Sequence, residues 1–250
     1  ADPIHYLPGA ADPERMNPDT ARIPLHGPCP VSFVGRLNVE LIDRNRKRLL
    51  SVWPQFANCE HLCASVVSRL LTRNAEITPV ELKKVFADLD EPILWALSMY
   101  VDVVAARESR MQTMRLLNPF KPRVYGEEEW TAVIPDGQRY APFSYFSGQL
   151  PQVYGESLIN INITNPQLRT GFNQRVFDIL ACGGFLLTDN SPDFKKVFGN
   201  EDAFIIAQSE ADYARKSEFF LSNPHARRRY LNQSVAYVHA EHCFSARMLR

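Results

Sequence analysis

The residues best suited to chemistry lie in one stretch, RTGFNQRVFDILACGGFLLTD, from Arg169 to Asp189. Its entrance is polar, its middle is apolar at helical spacing, and Gly183–Gly184 divides that middle from a short run ending in an aspartate. Phe172, Val176, Ile179 and Leu180 predict a helix over Phe172–Cys182 with its apolar face toward a sheet. Thr170 then caps the helix, and Gly171 brings bare backbone N–H groups close to a ligand. Such an entrance, here the amides of Gly171 and Phe172, offers unpaired donors and about half a positive charge, which suits a phosphate. Arg175, one turn in, is placed to neutralise a diphosphate, and Asp178 to accept hydrogen bonds from ribose hydroxyls. The same two residues, three apart, equally read as a surface ion pair of a few tenths of a kcal/mol. Both readings stay open on this stretch alone.

Those side chains need a frame. CPVSFVG (Cys29–Gly35) is a compact apolar run closed by glycine and predicts a buried strand feeding a loop. PRVYGEEEW (Pro122–Trp130) predicts a short strand ending at Gly126, and SLININIT (Ser157–Thr164) a strand with alternating apolar and polar residues. FLLTD and the AFIIA run from Ala203 predict two more. Helical periodicity marks Val39–Trp53, a helix-rich stretch at about 60–117 that includes TPVELKK with Thr78 as its cap, and then 211–221 and 225–242. Alternating strands and helices predict an α/β domain, a doubly wound parallel sheet with a helical insertion. Residues 1–30 read as a hinge or linker, 31–250 as the domain, and about 60–117 as the insertion. In such sheets the ligand lies beyond the carboxyl ends of the strands, here the loops after Val34, Val124, Ile163 and Leu187.

Bulk properties remove several classes. With 250 residues, 45% of them hydrophobic, the chain can bury a real core. Basic and acidic residues balance at 28 each, so no overall field gathers nucleic acid or a membrane surface. Five cysteines without framework spacing point to free thiols in a reducing compartment. No run approaches the roughly 20 apolar residues of a membrane span and no signal pattern opens the chain, so a cytoplasmic protein is expected. The proline-rich opening without an initiator methionine, and a helical pattern running to Arg250, make a piece of a longer chain the expectation.

Competing motifs carry less. Asp88–Asp90 (DLD) matches a metal-binding Asp-x-Asp of sugar transferases of another fold, but it follows a helical pattern and reads as a solvated helix end. Cys59, His61 and Cys63, and likewise His239, His242 and Cys243, lack a recognised zinc spacing, so no metal site is assigned. HARRRY (His225–Tyr230) reads as a solvated helix face. Gly-x-Ser-x-Gly, a P-loop and Gly-x-Gly-x-x-Gly are all absent, the last arguing against a nicotinamide dehydrogenase.

RTGFNQRVFDILACGGFLLTD also resembles the donor-binding segment of GT-B-type glycosyltransferases of the glycosyl transferase group 1 kind, within them the CgeB-like spore maturation proteins. In the family's order, HYLPGAADPERMNP resembles the hinge, VSFVGRLN the first strand and loop of the C-terminal half, RVYGEEEW the strand beside the nucleotide base, and EFFLSNPHARRRY with VHAEHCFSARM the closing helices. The resemblance implies the Rossmann-like, nucleotide-sugar-binding half of a GT-B enzyme. It places Gly35 and Arg36 at the phosphates and Tyr125 and Gly126 beside the base. The two spaced glutamates of related retaining enzymes fall on Thr170 and Asp178, so the ribose-binding carboxylate carries over and the sugar-reading one does not. A lysine of those relatives is matched by Leu41, so the second phosphate cation is expected to be Arg175, ahead of Arg44 or Arg46.

The resemblance implies a metal-independent hexosyltransferase-like enzyme with a nucleotide-diphosphate sugar as donor and no further cofactor. Helix-entrance amides at Gly171 and Phe172, with Arg36 and Arg175, are then positioned to stabilise the leaving diphosphate. The acceptor and any catalytic base are expected on an N-terminal half or partner chain, so the catalytic residues are unknown and none is assigned. The alternative is a non-catalytic nucleotide- or sugar-binding module of a larger assembly, which Thr170 keeps open. An epimerase of the same architecture is weaker, because near Thr170 only Asp178 offers acid–base chemistry.

Overall fold

Six strands join one sheet: β1 (Cys29–Val34), β2 (Arg123–Tyr125), β3 (Gln138–Tyr140), β4 (Ser157–Asn162), β5 (Leu186–Asp189) and β6 (Ile205–Ala207). The computed structural model describes residues 9–72, 76–142, 147–199 and 204–248, without the side chains of 232–234. His5–Pro8 of the hinge stretch and Ala203 of the last predicted strand lie outside the described residues. The strand order is β3-β2-β1-β4-β5-β6, and every neighbouring pair is parallel. This is the doubly wound, Rossmann-like α/β arrangement that the alternation of elements predicts, with its topological switch between β1 and β4. β3 was not legible in the sequence: Gln138, Arg139 and Tyr140 form a short, partly exposed edge strand without apolar alternation.

The apolar–polar alternation of β4 leaves no wet face over its last four residues: Ile159, Asn160, Ile161 and Asn162 are all buried. Successive strand residues point to opposite faces, so both faces of the sheet are covered there. Helices Leu150–Glu156, Arg175–Ala181 and Glu210–Ser222 pack against this strand. The one exposed β4 side chain is Leu158, near the amino end.

The chain forms two compact units. The first takes residues through Gly35, Thr113–Thr164 and the chain from Thr170, and it contains the sheet. Its core includes Phe177, Phe194, Phe198 and Phe204, with Val176, Ile179 and Leu180 from the helix Arg175–Ala181. Residues of the stretch read as a linker are bound within this unit. Ala11 bridges Cys243, and the Glu156 carboxylate accepts the N–H groups of His26 and Gly27 at 2.9 and 2.8 Å. Arg123 donates to the same carboxylate at 3.3 Å and to the Gly27 carbonyl at 2.7 Å. The cation and anion are both buried, so removing either one leaves an uncompensated charge.

The second unit joins Arg36–Gln112 with Asn165–Arg169. It takes in the helix Val39–Val52 as well as the helical stretch expected at about 60–117 as far as Gln112; residues 113–117 belong to the first unit. Leu49, Phe56, Val66, Leu70, Leu82, Leu97 and Val101 form its core. Thr78 does not cap the helix Thr78–Lys83 as expected; the cap position is Ile77, and the Thr78 hydroxyl donates to Asp102 at 2.5 Å. The buried carboxylate of Glu81 accepts from Lys84 at 2.8 Å, from the Glu76 N–H at 2.9 Å and from Arg69 at 2.6 Å. The Lys84 hydrogen bond first, then the Glu76 amide, hold its pKa down at about 2. A carboxylate depressed in the folded state adds stability above its unfolded pKa of about 4.3 and loses it as pH falls toward 2. Glu81→Gln should therefore flatten the decline in urea stability between about pH 4.5 and pH 2. An unchanged acid limb would refute the assignment.

Candidate functional site

The switch between β1 and β4 is where a doubly wound sheet opens a crevice at its carboxyl edge. One cation lies there. Arg175 is the first residue of the helix Arg175–Ala181; its Nη1 donates to Asn162 Oδ1 at 2.9 Å, and its Cζ lies 5.3 Å from the centre of the Phe33 ring. Asn162 ends β4 and Phe33 belongs to β1, so the guanidinium bridges the two strands that flank the switch. Arg175 thus turns to the sheet edge, and the surface pair with Asp178 does not form.

A polar network supports this arrangement. Asn173 donates from Nδ2 to Asn162 Oδ1 at 3.1 Å and to the Ile163 carbonyl at 2.8 Å. Asn162 donates from its own amide to Thr188 Oγ1 at 2.9 Å. At the tip of β5, Asp189 accepts the Thr164 N–H at 2.9 Å and the Thr164 hydroxyl at 2.7 Å. Further back along the strands, Ser32 donates to Asn160 Oδ1 at 3.1 Å, and Asn160 donates to the Tyr154 carbonyl at 3.1 Å. Sequence reasoning passed over Asn160, Asn162, Thr188 and Asp189. The signal available was two asparagines on a central strand, where burial on both faces forces each amide to find partners.

The loop before the helix corrects one expectation. The helix begins at Arg175, not Phe172, with Gln174 at its cap position and no side-chain capping bond. Thr170 is therefore no cap, and the amides of Gly171 and Phe172 are loop amides. Just before the helix, the Asn173 side chain is tied to Ile163 and Asn162. Thr170 is exposed, and its carbonyl accepts the Asp193 N–H at 3.0 Å and the Ser191 hydroxyl. The Ser191 hydroxyl also lies 3.0 Å from the Gly171 carbonyl. Phe172 stacks on Phe194 with ring centres 4.5 Å apart. The far end closes as glycine demands: Gly183 has φ +74°, and the N–H groups of Gly183 and Gly184 return to the carbonyls of Leu180 and Ile179.

Asp178 is only 2% exposed and accepts from Gln174 Nε2 at 3.2 Å, while the same amide donates to the Ala10 carbonyl. At the other side of the switch, Gly35 and Gly126 meet. The Gly35 N–H donates to the Tyr125 carbonyl at 3.1 Å, and the Trp130 indole donates to the Gly35 carbonyl at 2.9 Å. A Cβ on Gly126 would come within 2.5 Å of the Gly35 carbonyl oxygen and the Trp130 ring, so this glycine has a packing role. Tyr125 is buried, its ring stacked on Tyr140 at 5.3 Å.

Arg36 belongs to the helical unit, where its carbonyl accepts from Arg110 Nη1 at 2.5 Å. Arg46, a lesser candidate for the second cation, is engaged by Glu60 at 2.7 Å, a bond that also lowers the Glu60 pKa; Arg44 is exposed. Asp88 and Asp90 sit exposed in the turn before the helix Glu91–Leu117. Among the described residues, no group of three or more His, Cys, Asp or Glu is placed to hold a metal ion, and no helix is long and apolar enough to cross a membrane.

A family model described as glycosyl transferase-like matches residues 107–250, more than half of the chain. The match covers β2 to β6 and takes in Tyr125, Gly126, Asn162 and the whole of Thr170–Asp178, whereas Gly35 and Arg36 precede it. No curated protein matches the chain.

Two glycines differ in what packing requires of them. Gly126→Ala forces Cβ against backbone and should cost about 1–3 kcal/mol in urea unfolding. Nothing lies within 4 Å of a Cβ on Gly171. Gly171→Ala should therefore leave stability unchanged or raise it by about 0.4–1 kcal/mol. If Gly171→Ala destabilises as much as Gly126→Ala, the loop is not open as described.

Proposed function

The chain belongs to the glycosyl transferase-like family, and from that premise we propose that it is the donor-binding half of a GT-B-type enzyme. In this reading it binds a nucleotide-diphosphate sugar and hands the sugar to an acceptor held by an N-terminal half or partner chain. The observation that carries the reading is Arg175, a cation fixed over the β1–β4 crevice by a neutral amide oxygen.

Transfer leaves negative charge on the departing diphosphate, and preorganised donors aimed at that charge lower the barrier. Arg175 supplies the charge, and the loop amides of Gly171 and Phe172 supply neutral donors from backbone that no side chain crowds. The base lies beside Gly35 and Gly126, where two strand ends carry no side chains, with Tyr125 as the buried support beneath. Asp178 meets the ribose only if Gln174 and Ala10, which now cover it, move aside.

No metal is required by these roles. The same site without a sugar-reading carboxylate at Thr170 also fits a nucleotide-binding module that does not catalyse. Donor turnover separates the two: slow hydrolysis or transfer from a sugar nucleotide supports the enzyme, and tight binding without turnover supports the module.

Calorimetry against UDP, GDP and ADP should give binding in the micromolar to millimolar range. Arg175→Ala and Asp178→Ala should each weaken it about tenfold or more, the scale of one lost charged hydrogen bond. Parent-like affinity in both variants would remove this assignment.

A further inference from the structure

Asn162 is fully buried, and each of its side-chain polar atoms is engaged. Its Oδ1 takes hydrogen bonds from Arg175 and Asn173, its Nδ2 faces Thr188 Oγ1 at 2.9 Å and Thr164 Oγ1 at 3.4 Å, and its backbone carbonyl accepts the Tyr213 hydroxyl. The direction of the amide is dictated from behind. Thr164 spends its hydroxyl proton on Asp189 at 2.7 Å, and Thr188 Oγ1 lies 3.2 Å from the same carboxylate oxygen. With their protons drawn to Asp189, both threonines turn lone pairs toward Asn162, which must answer with its N–H₂ group. A flipped amide would also set that group against the donors of Arg175 and Asn173, which cannot accept. Oxygen therefore faces Arg175.

We infer that Asn162 is a positioning residue, which orients Arg175 over the switch crevice through a neutral oxygen and so leaves its positive charge for a diphosphate. The inference rests on the diphosphate-binding reading given above and adds the residue on which that reading's cation depends. A carboxylate in this place would make the same hydrogen bond but would also neutralise the guanidinium. Among the described residues no carboxylate is paired with Arg175; its partners are Asn162 and the Phe33 ring.

The test is a double-mutant cycle on the full chain, read as calorimetric affinity for inorganic pyrophosphate and for the tightest of UDP, GDP and ADP. Asn162→Asp, which preserves shape, should weaken both probes about tenfold or more in the parent. In an Arg175→Ala background it should change affinity less than about twofold, because it acts through Arg175. An equal loss in both backgrounds makes Asn162 merely structural and overturns the inference. So does parent-like binding by Asn162→Asp while Arg175→Ala is weak, an outcome that leaves the site reading intact. If the parent binds neither pyrophosphate nor any of the three nucleotides, or if Arg175→Ala is silent, the site reading fails and the inference falls with it. Should the melting curve show Asn162→Asp unfolded, Thr188→Val replaces it in the same cycle. About a threefold loss is then expected in the parent and none beside Arg175→Ala, the scale of one neutral hydrogen bond. Any other pattern overturns the inference.

Discussion

A buried amide with no freedom to turn is the constraint on which the carboxyl edge of this sheet depends. Asn162 ends a strand covered on both faces, so each of its polar atoms has to be met by protein. Thr188 meets one side, and Arg175 and Asn173 meet the other. The position of the following helix's first cation follows from satisfying this side chain. A buried network of this kind is costly when half-satisfied and rigidifying when complete. Here it holds the cation of the switch crevice to one place.

The same demand runs deeper into the sheet. Ser32 on β1 donates to Asn160 on β4, and Asn160 donates to the Tyr154 carbonyl at the end of the preceding helix. Gly184 accommodates this, since a Cβ there would stand 2.8 Å from the Asn160 amide. The glycine pair that ends the helix thus has two separate jobs. Gly183 supplies a positive φ for the turn, and Gly184 leaves room for a buried asparagine. At β1 and β2 the logic is again spatial, with Gly35 and Gly126 pressed together under the Trp130 indole. Gly171 differs from all of these, because nothing in the protein requires it to lack a side chain. Glycines alike in the sequence divide into those that packing requires and those it does not only when their neighbours are known.

The opposite edge is anchored by a different chemistry. Glu156 and Arg123, both buried, gather the backbone of His26 and Gly27 against the start of the strands. A cation and an anion taken out of water together are tolerable only when further hydrogen bonds fill their remaining sites. The amides of residues 26 and 27 meet the carboxylate, and the Gly27 carbonyl accepts from the guanidinium. Charge neutrality over the whole chain therefore conceals two unlike local arrangements: one cation set against a carboxylate where it fastens the chain, and one met, among the described residues, by a neutral amide and a ring where the strands diverge.

Periodicity was enough to read the parallel α/β architecture, most helices and the helix-then-strand pattern within Arg169–Asp189. Hydrophobic spacing at 3.6 and 2 residues is a local property, and local properties survive in a one-dimensional string. The likeness to sugar transferases was legible for the same reason, carried by contiguous segments, of which the family match covers those from RVYGEEEW onward. The edge strand at Gln138–Tyr140 was not legible, because an edge strand with one neighbour needs no apolar alternation. Nor were the roles of Asn160 and Asn162, since alternation in LININ says nothing of what covers its polar residues. Whether a strand face is wet depends on what lies above it, and that comes from segments far along the chain, such as the helix Glu210–Ser222. Arg175 and Asp178 show the division within four residues. Their spacing allowed a surface pair, and the folded chain sent the arginine to Asn162 on the neighbouring strand and buried the aspartate beneath Gln174.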